Sequence, residues 1–212
     1  MFRPTFKAVM FCLQHMKDEK EARVLLKAGD SEQYFDWTYL TPRFILPSMN
    51  LSDLDSDGKE ELSVILYVGS GTGVSLQELH VLELPEKKQG TGQSLKDQVF
   101  EDYIIQLDKA VSFKLLSESS GLKGEISVEN KKYKINIKDY QSEEYGKIIE
   151  KLFYGNIVRF SQDNNKLMVE LAAGLGFENN VEPVYIGTLN ADIDYKSGKF
   201  KLKNIKFTKN MD

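Results

Sequence analysis

Short apolar segments separated by turn-forming residues recur along this chain, and they restrict its fold more than any other feature. Residues 126–128 and 133–137 flank the polar stretch 129–132 and carry apolar side chains at every second position. Because successive side chains of a strand point to opposite faces, this period predicts an antiparallel hairpin with one buried face. The same pattern predicts four further hairpins, in which 21–28 pairs with 33–38, 62–68 with 74–84, 156–160 with 166–171, and 185–195 with 199–207.

The last of these strands contains a change of phase. Phe200 and Leu202 share one face of an ideal strand, whereas Ile205 and Phe207 share the other. One extra residue near positions 203 and 204 would bring all four side chains to the same side. The sequence therefore predicts a β-bulge at this point.

Two segments carry apolar residues at helical spacing. In 100–111 they fall at i, i+1, i+4, i+7 and i+8 counted from Tyr103, and 145–153 has a similar stripe with Ser142 as its N-cap. The regular alternation of strands and helices that marks a doubly wound fold does not occur. The predicted class is α+β, mainly antiparallel β in several hairpins, with two short helices.

Length and composition suit a single domain. The 212 residues are 41% hydrophobic, which is enough to form one core that needs no disulfide bond to hold it together. We expect a β-rich domain over 21–212 with a mobile loop near 86–94, where apolar residues are almost absent. The segment 1–20 is expected to be a remnant of a longer leader or disordered. Its apolar run at 8–13 is too short for an intact export signal.

Several partner and site classes are excluded by the same composition. The net charge of −4 argues against a nucleic-acid partner. No apolar run approaches the ~20 residues of a transmembrane segment. Cys12 is the sole cysteine, so neither an intramolecular disulfide nor a thiolate metal cluster is expected.

The stretch 53–62 carries the most specific chemical signal. It places carboxylates at positions 1, 3, 5 and 9 of a tight turn and glycine at position 6. Such a turn directs several oxygens to one centre, and an oxygen-only ligand set suits Ca²⁺. The predicted ligands are the side chains of Asp53, Asp55, Asp57 and Glu61 and the backbone carbonyl of Lys59. The alternative is a turn without metal, because aspartate caps its own backbone and glycine adopts positive φ.

The surroundings of this loop resemble a known family. An EF-hand needs glutamate at position 12, where this chain has Val64 in an apolar strand. With a strand directly after Glu61, the segment 51–62 resembles the calcium loops of FG-GAP and VCBS-type repeats, and 68–74 and 77–82 extend the similarity. The chain is similar to single-copy VCBS-like proteins of Gram-positive bacteria, which are mostly predicted to be exported and have no assigned activity.

The resemblance implies Ca²⁺ bound by the loop and an extracytoplasmic or cell-envelope setting. It does not imply a full β-propeller, because a propeller needs roughly four or more blades and this chain has one such loop. We therefore expect a non-catalytic, Ca²⁺-stabilised binding or structural module, whose partner is an unidentified protein or envelope ligand.

Two other functions stay open. Glu78 and His80 are two residues apart on a predicted strand and share a face, so they supply a carboxylate–imidazole pair for a hydrolase-like enzyme. The same pair is also typical of a structural hydrogen bond. The second alternative is a cytoplasmic domain in which the acidic loop is only a turn.

Overall fold

The computed structural model describes residues 9–14, 23–28, 31–42, 45–84, 94–119 and 121–210. The first strands are β1 (Val9–Gln14), β2 (Arg23–Ala28), β3 (Ser31–Phe35), β4 (Ser48–Ser52), β5 (Glu61–Gly71), β6 (Val74–Glu83) and β7 (Lys96–Val99). The later strands are β8 (Val111–Glu118), β9 (Gly121–Val128), β10 (Lys131–Asn136), β11 (Ile148–Asp163), β12 (Lys166–Phe177), β13 (Asn180–Lys196) and β14 (Lys199–Lys209). One α-helix, α1, spans Tyr103–Ala110, and two 3₁₀ turns span Ile137–Asp139 and Glu143–Tyr145.

Most of these strands belong to one curled, open sheet. Its order is β14-β13-β12-β11-β6-β5-β4, and β7 also pairs with β6. Neighbouring strands are antiparallel except β11 and β6, which run parallel at Ile157 and Val158. Two three-stranded sheets, β1-β2-β3 and β10-β9-β8, complete the fold. The prediction of a mainly antiparallel β-rich chain is confirmed.

The predicted strand pairs and the first helix correspond to observed elements. Antiparallel pairing joins β2 with β3, β5 with β6, β9 with β10, β11 with β12, and β13 with β14. The helix expected within 100–111 is α1. Residues 9–14 of the N-terminal segment form β1 against β2. The rest of that segment, and residues 86–93 of the loop near 86–94, lie outside the described residues.

The second predicted helix is wrong. Only Glu143–Tyr145 forms a 3₁₀ turn, and β11 begins at Ile148. Gly146 ends the turn with φ +73°, and the pairing of β11 with β12 shifts register twice. These irregularities break the two-residue period of the apolar side chains, so a strand in this position imitates helical spacing. Pairing with β12 outweighs the weak local preference for a helix.

The predicted bulge is confirmed in β14. Asn190 pairs with Lys206 and Asp192 pairs with Lys203, so the interval between these pairs holds one more residue on β14 than on β13. Asn204 takes up the extra length with φ +52°. The apolar residues on either side of it, Leu202, Ile205 and Phe207, are all buried.

Two apolar cores lie on opposite sides of the β5–β6 hairpin. The smaller core joins the β1–β3 sheet to one face of the hairpin and consists of Val24, Leu26, Phe35, Trp37, Leu62, Val64, Leu66, Leu82 and Leu95. The larger core lies on the other face, where Ile65, Leu79 and Val81 meet α1, the β8–β10 sheet and strands β11–β14. Burial on both faces explains the apolar run from Val64 to Val68. Among the described residues, no helix has the length and apolar character needed to cross a membrane.

The bulge gives the first testable prediction. Asn204→Gly and Asn204→Val both remove the hydrogen bond that the Asn204 side chain donates to Asp192. Only valine is strained at positive φ, at a cost of about 1–2 kcal/mol. Urea unfolding should therefore show the valine variant to be less stable than the glycine variant by about that amount. Equal stability of the two variants would contradict the bulge conformation.

Candidate metal site in the acidic loop

The acidic loop connects two paired strands. It runs from the end of β4 to the start of β5, where Ser52 and Glu61 are direct cross-strand partners. Because pairing brings the two ends of the loop together, Asp53 and Glu61 are neighbours although they are eight residues apart. The strand register thus places the first and last predicted side-chain ligands at one point.

Backbone donors turn the aspartate side chains into the loop. The N–H of Asp57 donates to Oδ1 of both Asp53 and Asp55 at 3.1 Å, and the N–H of Gly58 donates to Oδ2 of Asp53 at 3.1 Å. Ser56 and Gly58 adopt positive φ, of 63° and 89°. These turns and hydrogen bonds are the Asx geometry that the alternating sequence predicts.

Three of the predicted ligand side chains come together. One carboxylate oxygen each from Asp53, Asp55 and Glu61 lies within 4.8 Å of the other two. Asp57 is outside this group, because its Oδ1 accepts the N–H of Lys59 at 2.8 Å. Lys59 lies in the exposed part of the loop. The donor set consists of carboxylate oxygens, which suits a hard cation.

Glu61 is the buried member of the group. It is 5% exposed, and its Oε2 accepts the N–H of Leu54 at 2.8 Å. The pKa of Glu61 is raised from 4.5 to about 7, mainly by burial; the Leu54 N–H lowers it, and the charges of Asp55, Asp57 and Asp53 raise it. A buried carboxyl beside three other carboxylates gains from any positive charge placed among them.

Groups from remote parts of the chain support the loop, and the sequence analysis missed them. The N–H of Ser197, in the β13–β14 turn, donates to Oδ2 of Asp55 at 3.3 Å. The side chain of Gln162 on β11 donates to Ser52 at 2.7 Å and also bonds Ser63. Tyr195 is buried, and burial with the nearby charges of Glu83 and Glu61 raises its pKa. No local sequence signal indicates contacts over such separations.

The Glu78–His80 pair has a different environment from the one expected. His80 is 3% exposed. Its Nδ1 lies 3.1 Å from Oδ2 of Asp97 on β7, whereas its Nε2 lies 3.6 Å from Oε2 of Glu78, beyond a normal hydrogen bond. Asp97 also accepts the indole N–H of Trp37 at 2.8 Å. The sequence analysis did not identify Asp97 as the partner.

Comparison of the chain with protein-family models, curated proteins and solved structures finds no match. The resemblance to FG-GAP and VCBS-type repeats therefore rests on the residues of the loop and of the two strands that follow it. The geometry of the loop is the independent observation on which a function can be argued.

The raised pKa of Glu61 gives the second prediction. Between pH 4.5 and about 7 the folded protein holds a proton on Glu61 that the unfolded chain releases. In chelator, this group therefore makes the free energy of unfolding fall as pH rises through that window. Glu61→Gln removes this contribution, so the stability of the variant minus that of the parent should grow over the same range in urea titrations.

The matched control is Glu60→Gln, which removes one charge from the exposed neighbouring position. It should keep the pH profile of the parent. Superimposable profiles for the parent and Glu61→Gln would show that Glu61 does not titrate in this window.

Proposed function

We propose that the acidic loop binds Ca²⁺ and that the protein is a non-catalytic module stabilised by this ion. The observation that carries the proposal is the group formed by Asp53, Asp55 and Glu61, whose oxygens lie within 4.8 Å of one another. A Ca²⁺ ion with bonds of about 2.3–2.6 Å touches oxygens up to about 5 Å apart, a span that covers the group.

The donor chemistry favours Ca²⁺ over other common metals. Zn²⁺ prefers nitrogen and sulfur ligands, whereas this group offers three carboxylates. Mg²⁺ demands near-ideal octahedral geometry at about 2.0–2.1 Å and keeps several waters. Ca²⁺ accepts irregular geometry and a larger number of ligands, so the loop carbonyls and water can complete its coordination.

The position of the loop supports a structural role for the ion. Asp55 contacts the turn between β13 and β14, and Glu61 begins β5. A cation bound by both residues would join the β4–β5 connection to the opposite end of the large sheet. Its binding energy adds to the stability of the folded state, because the unfolded chain does not gather these ligands.

We further propose, on the resemblance stated above, that the module belongs to the cell envelope or is secreted, where it would meet an unidentified protein or envelope ligand. Extracellular Ca²⁺ modules bind the ion with dissociation constants of ~10⁻⁴–10⁻³ M. Such a site is filled only where Ca²⁺ is abundant. The alternative is a cytoplasmic domain in which the backbone hydrogen bonds to Asp53 and Asp55 serve only the turn.

The third prediction tests the metal. At ~1 mM Ca²⁺ these constants correspond to a stabilisation of roughly 0.4–1.4 kcal/mol. For a chain of this size the melting temperature should rise by a few degrees relative to chelator. Thermal unfolding followed by circular dichroism measures the shift, and Mg²⁺ at the same concentration should give a smaller one.

Variants separate binding by the loop from a general ionic effect. Asp55→Asn keeps the side-chain oxygen that accepts the Asp57 N–H but removes the charge, so it should abolish most of the Ca²⁺ shift. Glu60→Gln should keep the shift of the parent. An equal shift in the parent and Asp55→Asn would reject Ca²⁺ binding by the loop and favour the turn without metal.

The fourth prediction concerns Asp57, which the sequence places among the ligands and the geometry places outside the group. Asp57→Asn keeps the acceptor for the Lys59 N–H. If the ion binds without rearrangement of the loop, the Ca²⁺ shift of this variant should stay closer to that of the parent than to that of Asp55→Asn. A loss as large as that of Asp55→Asn would show that Asp57 turns inward on binding.

A further inference from the structure

Three side chains from separate elements meet where the β1–β3 sheet joins the large sheet. His80 lies on β6, Asp97 on β7, and Trp37 follows β3. The carboxylate of Asp97 accepts the indole N–H of Trp37 at 2.8 Å and lies 3.1 Å from Nδ1 of His80. We call these three residues the His80 cluster. It connects the two sheets by polar contacts inside the smaller apolar core.

The Nδ1 atom of His80 carries the proton in this arrangement. A carboxylate is an acceptor only, so the contact with Asp97 requires an N–H at Nδ1. In a neutral imidazole the other nitrogen, Nε2, is then a bare acceptor. Nε2 is buried and has no hydrogen-bond partner. A buried acceptor without a donor destabilises the folded state, so the unpaired Nε2 is the unusual feature of the cluster.

Protonation of His80 would turn Nε2 from an unpaired acceptor into a hydrogen-bond donor. Oε2 of Glu78 lies 3.6 Å from Nε2. An imidazolium would direct one N–H to Asp97 and the other toward Glu78, and its charge would lie beside the ring of Trp37, whose centroid is 4.6 Å from that of His80. Two carboxylates and an aromatic ring are the neighbours that an imidazolium at this position would have.

The strands on either side of His80 place valines next to it. In strand register, His80 lies between Val64 on β5 and Val99 on β7. Trp37 covers the ring from the β3 side. Among the described residues, the charged side chains paired with the imidazole are Asp97 and Glu78.

We propose that the His80 cluster is a proton-sensitive latch, which holds the β1–β3 sheet on the large sheet most tightly when the imidazole of His80 is protonated. When the proton leaves Nε2, the attraction to Glu78 and the positive charge beside Trp37 are lost, and Nε2 becomes an unpaired acceptor. The β1–β3 sheet should then open more readily. Gln33 is a second connection that does not involve His80, since its side chain bonds the backbone of Leu95 beside β7.

The composition of the chain allows a direct test. Trp37 is the sole tryptophan, and His15 and His80 are the only histidines. In protein without a histidine tag, tryptophan fluorescence therefore reports on the cluster, and nitrogen NMR of the imidazoles gives signals from two rings only. His15→Gln assigns the signals of His80.

The measurement compares about pH 5 with about pH 8, the range in which histidines change charge. At the lower pH both ring nitrogens of His80 should carry protons. Amide hydrogen exchange, corrected for its intrinsic pH dependence, should show the protection of Ser31–Phe35 falling about tenfold toward the higher pH, as expected for the loss of one charge-assisted contact. Trp37 fluorescence should change over the same interval.

Two variants and one control variant identify the cause. Glu78→Gln changes a half-exposed side chain, so the fold should survive, and the change in protection should shrink severalfold. His80→Gln should remove it, whereas His15→Gln should leave it unchanged. The proposal fails if Nε2 stays unprotonated at the lower pH, if Glu78→Gln keeps the full response, or if His15→Gln abolishes it. The first two outcomes can be read even if His80→Gln does not fold.

Discussion

The β5–β6 hairpin is the element on which the other parts of the structure depend, because apolar layers cover both of its faces. Leu62, Val64 and Leu66 point into the smaller core, whereas Ile65 and Leu79 point into the larger one. Each fully buried aliphatic side chain contributes about 1.5–3 kcal/mol relative to exposure. A shift of one residue in the register of this hairpin would exchange the two faces and disturb both cores at once. The hairpin therefore has one strongly preferred register, which also fixes the positions of the polar side chains that it carries.

Polar groups on such a hairpin are expensive unless they are paired, and their positions follow from this cost. Glu61 stands at the first position of β5, where the Leu54 N–H and the acidic loop are within reach. His80 stands inside β6 and is tolerated because Asp97 reaches it from β7. Both residues are nearly fully buried, so neither is an ordinary surface residue. The energy that holds them in place comes from the apolar side chains around them, which is the usual way in which a rigid scaffold supports a strained or charged site.

The sequence predicts the strands well wherever their signal is local. Alternation in 199–207 was sufficient to locate the bulge, because a change of phase must be absorbed within the strand itself. The helix predicted in 145–153 failed because the irregular pairing of β11 with a distant strand removed the alternation. The candidate metal site divides in the same way. Asp53, Asp55 and Glu61 come together through a turn of nine residues that the sequence displays. The contact of Asp55 with Ser197 depends on the topology of the sheet, which no short sequence pattern predicts.

The ionisable residues Glu61 and His80 lie on opposite faces of the hairpin, so each contacts a different part of the structure. Glu61 and His80 belong to register pairs three residues apart along β5, at Glu61 and Val64, which corresponds to about 10 Å. Odd positions of β5 face the larger core, and even positions face the smaller one. A cation bound near Glu61 would therefore act on the β13–β14 turn and the large sheet, whereas a proton on His80 would act on the junction with the β1–β3 sheet. Because packing on both faces fixes the register of the hairpin, neither cation binding nor protonation should shift β5 along β6. Ion binding and protonation, as proposed above, would thus act on separate parts of the same scaffold.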